Sequence, residues 1–144
     1  MRLSNMADYA VVTMNAAARH CGGTRTSATE LSSETGIALP TTQKLVSILS
    51  KAGLLKSTRG SGGGIQLARP AAAITLADIV EAVEGPIALT SCCDTGAHDC
   101  VMEGSCSVQP HWTIVNTAVR NALADVRLTS LSRAPQQHNQ LVKT

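Results

Sequence analysis

Residues 27–68 constrain the fold most, because helix and strand stop signals fall there in a set order. Ser27 reads as an N-cap, and Glu30, three residues on, fits a capping box. The helix this predicts runs over 28–35 and stops at Gly36. Ile37, Ala38 and Leu39 follow. Pro40 suits the first position of a second helix reaching about Lys51, with Leu45, Ile48 and Leu49 turned inward. Gly53 is a natural left-handed C-cap. Two short helices joined by a turn with glycine make a helix-turn-helix pattern. Residues 54–58 then read as a strand, Arg59-Gly60-Ser61-Gly62-Gly63-Gly64 as a turn, and 65–68 as the return strand. A helix-turn-helix followed by a glycine-tipped hairpin is a winged helix.

The flanks extend this plan. Met6, Tyr9, Ala10, Thr13, Met14 and Ala17 recur at helical steps, which predicts a helix over 6–20 closed by Gly22-Gly23. A second amphipathic helix is expected over 71–85, with Thr75 as N-cap, Asp78 in its first turn and Gly85-Pro86 as its end. Trp112, Val115, Val119, Ala122 and Val126 fall at alternating steps of three and four, a heptad seam that starts near Pro110 and fades after Leu131. One apolar seam on a long C-terminal helix points to a dimer helix. Packing onto its own domain would give the same pattern. From Ala134 the tail is polar and expected to be disordered.

The expected fold class is mainly α with a small β-hairpin wing: a winged helix-turn-helix plus a long C-terminal dimerisation helix. Three regions result. They are a DNA-binding domain over 1–70, a linker helix, cysteine loop (89–108) and dimerisation helix over 71–133, and a tail over 134–144. With 144 residues, no Phe, one Trp and one Tyr, the core must be aliphatic, which suits closely packed helices. No apolar run approaches the ~20 residues a membrane span needs, and no signal peptide is evident. A cytoplasmic location follows as an expectation, and thiols there stay reduced.

Charge is unevenly placed. Residues 1–70 carry eight Lys/Arg against three Asp/Glu, and residues 71–144 carry four against seven. A basic N-terminal half suits a polyanionic partner, although chance sorting of surface charge gives the same asymmetry. In a helix-turn-helix, the helix from Pro40 would present its N-terminal residues to base edges. Thr41 and Thr42 offer methyls to thymine, Gln43 matches adenine, and Lys44 reaches guanine or phosphate. Ser27 and Thr29 would meet phosphates. Arg59 and Ser61, at the wing tip among glycines, can approach a groove. Taken singly, Thr41 and Thr42 could equally begin a solvated helix.

Cys93, Cys100 and Cys106 lie in a polar stretch with six and five residues between them. Soft thiolates gathered in one segment point to a metal or an iron–sulfur cluster. Zinc held by these three and a histidine is an alternative, but the spacings exceed the usual zinc-knuckle spacing. Cys92 is a bystander or a substitute for Cys93. Cys21, ending the first helix, fits a small buried residue. The chain lacks a nucleophile–base pairing and paired carboxylates. The Gly62-Gly63-Gly64 run lacks the lysine and helix of a phosphate loop. No enzyme is expected.

Several motifs in order resemble the Rrf2 family of bacterial winged-helix regulators. They are Met1-Arg2-Leu3-Ser4 through Asp8-Tyr9-Ala10-Val11; Leu45-Val46-Ser47-Ile48-Leu49-Ser50-Lys51-Ala52-Gly53-Leu54 with the glycine turn; residues 74–85; and the three-cysteine loop followed by His111-Trp112. The resemblance covers roughly residues 1–130. Within the family it is to the iron–sulfur-binding members: IscR-type, SUF-operon and NsrR-type regulators. It implies a homodimer on double-stranded operator DNA, the C-terminal helix crossing to the partner. It also implies a cluster, [2Fe-2S] ahead of [4Fe-4S], on Cys93, Cys100 and Cys106, whose occupancy sets DNA affinity. In IscR-type members a histidine three residues past the last cysteine completes the ligands, but here that place is Gln109. NsrR-type members use an acidic residue near the N-terminus of the other subunit, where Asp8 stands. Asp8 is the favoured fourth ligand, His111 its rival and His98 the next. Gln43 occupies a place where IscR-type proteins often carry a glutamate that restricts which DNA the cluster-bound form accepts. A DNA-binding regulator using zinc or a thiol switch is the alternative. An iron–sulfur carrier is a more distant one, because it has no use for a winged helix.

Overall fold

A computed structural model describes residues 2–20, 25–94, 100–102 and 104–132. Cys21, His98 and the tail from Ala134 lie outside them. The first helix, α1 (Asn5–Ala18), is capped by Ser4, whose hydroxyl accepts the Ala7 N–H at 3.1 Å. Ala7, Ala10, Ala16 and Ala17 are buried on it. Their small side chains let neighbours come close, and helix separation follows side-chain size. Every other major element of the winged helix packs on α1 or on what α1 supports: α2 (Ala28–Thr35), α3 (Leu39–Lys51), strand β2 (Gly64–Leu67), α4 (Leu76–Glu84) and α6 (Leu128–Leu131).

Strand β1 (Leu55–Thr58) pairs antiparallel with β2, with Leu55 opposite Leu67 and Thr58 opposite Gly64. This confirms a mostly helical chain with one hairpin. The core is aliphatic: Met14, Leu31, Leu45, Leu49, Leu54, Ile74, Ile79 and Leu128 are all fully buried. They form one cluster with residues from both sides of residue 70, so packing does not break there.

Local details depart from expectation at several places. Ser27 caps α2 by accepting the Glu30 N–H, but the Glu30 carboxylate takes the Thr26 hydroxyl at 2.8 Å rather than completing the box. The full box is at α4, where Thr75 and Asp78 bond each other's backbone. The helix expected over 71–85 is divided. A 3-10 turn (Ala71–Ala73) is followed by extended Ile74 and Thr75 before α4 begins. The reason is that the Ile74 carbonyl accepts the Leu128 N–H at 2.8 Å, a bond beside the antiparallel Thr75–Arg127 bridge rather than a helical one.

The long C-terminal helix is also shorter than the seam implied. Helix α5 (Gln109–Ala124) ends at Asp125. Val126 is therefore not on it. Its carbonyl accepts the Leu76 N–H at 2.9 Å, and Arg127 bridges Thr75. The chain then turns into α6 and plants Leu128 in the core. The heptad spacing ran on through a segment whose backbone is committed to α4.

The two ends of the fold are tied at Glu84. Its Oε1 accepts the Ser4 N–H at 3.0 Å, and hydrogen bonds from the Ser4 hydroxyl and N–H hold its carboxyl below the usual value of 4.5. Stability from this contact is present above the ordinary carboxylate range and is lost as pH falls through the lowered value. Glu84→Gln should therefore be less stable than wild type at neutral pH, the gap closing in acid. Urea unfolding across pH checks this.

Candidate nucleic-acid interface and cysteine segment

The turn between α2 and α3 is locked from inside. Gly36 adopts the left-handed conformation, φ 77°, that ends α2. The Ser32 hydroxyl donates to Ile37 O at 2.6 Å, and Thr35 Oγ1 donates to Leu31 O and accepts the Ile37 N–H. These two residues fix how α3 leaves α2, and sequence patterning did not single them out. A hydroxyl near a helix end followed by glycine was the available signal.

On α3, Pro40, Gln43 and Lys44 are exposed and Thr41 is half-buried. Pro40 is the second residue of the helix, not the first. Thr42, expected among the base-facing residues, is fully buried. Its hydroxyl donates back to Ala38 O at 3.2 Å and Ile37 O at 3.4 Å, so the side chain faces the core. Helical periodicity places it with Leu45 and Leu49, and a threonine there satisfies its hydroxyl on the preceding turn. Thr42→Val should cost about 1 kcal/mol in urea unfolding, the worth of one hydrogen bond. It should leave the preference among operator sequences unchanged in DNA titrations.

Ser27 and Thr29 are exposed at the start of α2, and Arg59 and Ser61 are exposed at the wing tip. Gly63 donates its N–H to Gly60 O at 2.8 Å, closing the tip. A side chain on Gly63 would place its Cβ 2.4 Å from Thr58 O, so the tip excludes bulk. The wing is also stitched to the helix-turn-helix, because Thr26 and Ile65 form an antiparallel bridge.

Cys92 and Cys93 sit on a 3-10 turn (Ser91–Cys93). The Thr90 hydroxyl lies 2.9 Å from Cys92 Sγ and 3.5 Å from Cys93 Sγ. Cys100 follows, and Cys106 lies just before α5. All four thiols are free and half-buried. Asp8 is exposed on α1 and His111 is exposed in the first turn of α5. Among the described residues, no three His, Cys, Asp or Glu side chains are placed to hold a metal ion. The donor chemistry fits a soft-metal group, with three unpaired thiols on one segment. The geometry of the single chain does not assemble them, with or without Asp8 or His111.

Helix α5 carries no buried residue. Trp112, Val115, Val119 and Ala122 line a groove of about 1060 Å³, faced by Leu3, Val80 and Glu84. Trp112 and Val115 keep 41% and 43% of their surface exposed. Asn116 holds the segment before the cysteines, accepting the Leu89 N–H at 2.8 Å and donating to Ile87 O. Arg120 pairs with Glu81 across to α4 at 2.8 Å. Neither contact was legible beforehand, since both join residues distant in sequence.

A winged helix with an exposed N-terminal end of α3 and a bulk-free wing has the architecture of a DNA-binding regulator. The chain belongs to the Rrf2 family, described as iron-dependent transcriptional regulators, whose model matches residues 3–134. The HTH-type transcriptional regulator IscR of Vibrio atlanticus (strain LGP32) is 31% identical over 133 residues, 92% of this chain and 76% of that protein. Among solved structures, CymR (YrzC), the global cysteine regulator of B. subtilis, superposes with a TM-score of 0.74 at 27% identity, covering 92% of this chain and 96% of the other. IscR of T. potens gives 0.71 at 26% identity, covering 92% and 86%. Among the described residues, no helix is long and apolar enough to cross a membrane.

Proposed function

We propose that this protein is a homodimeric, cytoplasmic repressor whose affinity for operator DNA is set by an iron–sulfur cluster on Cys93, Cys100 and Cys106. The observation that carries this is placement. Three free, half-buried thiols lie on the connection between α4, which is part of the winged-helix core, and α5, whose apolar side is open. Asp8, exposed on α1, is the fourth ligand we favour, supplied by the partner subunit, and His111 is the rival. When bound, the cluster supplies a centre that responds to iron supply, oxidants or nitric oxide. This chain's residues do the rest. Thr41, Gln43 and Lys44 meet the major groove, Ser27 and Thr29 meet phosphates, and Arg59 and Ser61 address a flanking groove. Pairing of α5 through Trp112, Val115, Val119 and Ala122 sets the spacing of two recognition helices on half-sites about one helical turn apart.

Anaerobic purification followed by absorbance, iron and acid-labile sulfide analysis tests the cofactor. Visible charge-transfer bands with matching iron and sulfide are expected. Colourless protein with zinc, or with no metal, would remove the cluster. A thiol switch is the second reading, favoured by the Cys92–Cys93 pair sharing the Thr90 hydroxyl. In that case metal-free protein would change operator affinity on treatment with peroxide and recover it with a dithiol.

A further inference from the structure

The acidic groups on α2 are committed to protein partners. Glu30 accepts from the Thr26 hydroxyl at 2.8 Å, and Glu34 meets His20 at 2.6 Å. The nearby bases are not. Among the described residues, Arg25, Lys44, Lys51, Lys56 and Arg59 have no ion-pair partner. Arg25 differs from the others in how its backbone is held. The next residue, Thr26, pairs with Ile65 in both directions, N–H to O at 3.0 Å and O to N–H at 2.7 Å. On the other side stands Gly64, where a Cβ would lie 2.9 Å from the Arg25 Cβ and 2.8 Å from Thr26 O. Glycine at 64 is what lets β2 come this close. Arg25 is thereby pinned between the wing and the N-cap of α2, and its side chain is exposed.

The first helix of a helix-turn-helix crosses the DNA backbone, and a wing that addresses the flanking groove must pass over that backbone to reach it. A cation anchored at their junction faces the phosphates between them. We infer that Arg25 is a phosphate-contacting residue that fixes the register of the wing on the duplex without reading bases. The inference rests on DNA binding by the winged helix and is independent of any cluster. Arginine suits the role, since its planar fork meets a phosphate through two N–H groups.

Binding of metal-free protein to an operator duplex and to an unrelated duplex, measured over a salt series, tests it. Arg25→Ala should reduce the slope of log affinity against log salt by about one per half-site, and lower affinity about eightfold per half-site at 0.1 M salt on both duplexes. Arg25→Lys keeps the charge and should keep the slope. Urea unfolding of each variant confirms the fold is intact. An unchanged slope in Arg25→Ala would overturn the inference. So would a loss confined to the operator duplex, which would make Arg25 a base reader. Wild-type protein with no affinity for either duplex would overturn the DNA-binding reading beneath it as well.

Discussion

Cys100→Ser should lose its iron, its acid-labile sulfide and its visible absorbance on anaerobic purification, and still fold. Serine keeps the shape of cysteine but offers a hard, weakly acidic oxygen in place of a soft thiolate. Cys100 is half-buried in a segment whose described residues contribute nothing to the core cluster. Substitutions of that kind change stability by less than about 0.5 kcal/mol. The unfolding midpoint should therefore match that of wild-type protein stripped of metal. Cys93→Ser and Cys106→Ser should behave alike, whereas Cys92→Ser should retain the cluster. Full cluster content in Cys100→Ser, or loss in Cys92→Ser, would show that the ligands are assigned wrongly. The comparison is informative because Cys92 and Cys93 are adjacent and both lie near the Thr90 hydroxyl.

Leu128→Ala is expected to have the largest effect on the fold itself. Leu128 is fully buried among Met14, Leu31 and Ile79 of the same cluster, although it follows the end of α5. Removing its side chain loses transfer energy and leaves a cavity, at a cost of about 2–5 kcal/mol. A second consequence is specific to this topology. The backbone bonds Leu76 N–H to Val126 O and Leu128 N–H to Ile74 O fasten the chain after α5 to the start of α4. Leu128 is the apolar anchor beneath them. Its loss should free the end of α5 from the winged helix, so that hydrogen exchange speeds up at Leu76 and Leu128 before global unfolding. A stability within about 0.5 kcal/mol of wild type, the size of a surface substitution, would mean that α6 is not part of the cooperative unit.

The winged helix was legible because its punctuation is local. Gly36 can end α2 by entering a left-handed turn, and the glycine tip admits no bulk at Gly63. Aliphatic spacing placed Leu45 and Leu49 inward. What escaped depends on contacts between distant residues. The bridge from Thr75 to Arg127 stops a helical seam that the spacing alone carries through Val126. Thr42 has the composition of a DNA contact and the position of a core residue, and only burial separates the two. Ser32 and Thr35 look like ordinary polar residues of a short helix until their hydroxyls are seen to close the turn. His20 carries no sequence pattern, yet its ring meets Glu34 and joins the end of α1 to α2.

The cysteine segment was legible as chemistry and not as geometry. Three thiols in a polar stretch have the donor chemistry of a soft-metal site, but the described residues of one chain do not converge on a single point. In the proposed dimer, convergence would come from the partner subunit and the cluster, neither of which is written in local spacing. In the proposed site, Gln109 stands where the resemblance to IscR-type regulators implies a histidine, so Asp8 is the fourth ligand proposed, ahead of His111 and His98.

In the proposed function, the state of the cysteine segment sets DNA affinity. The most direct measurement is titration of one promoter fragment with anaerobic cluster-loaded protein and with the same preparation after cluster removal, at fixed salt. Two affinities that differ by about tenfold or more are expected, a coupling of the usual allosteric size, with no difference in Cys100→Ser. Equal affinities for the two preparations would contradict it.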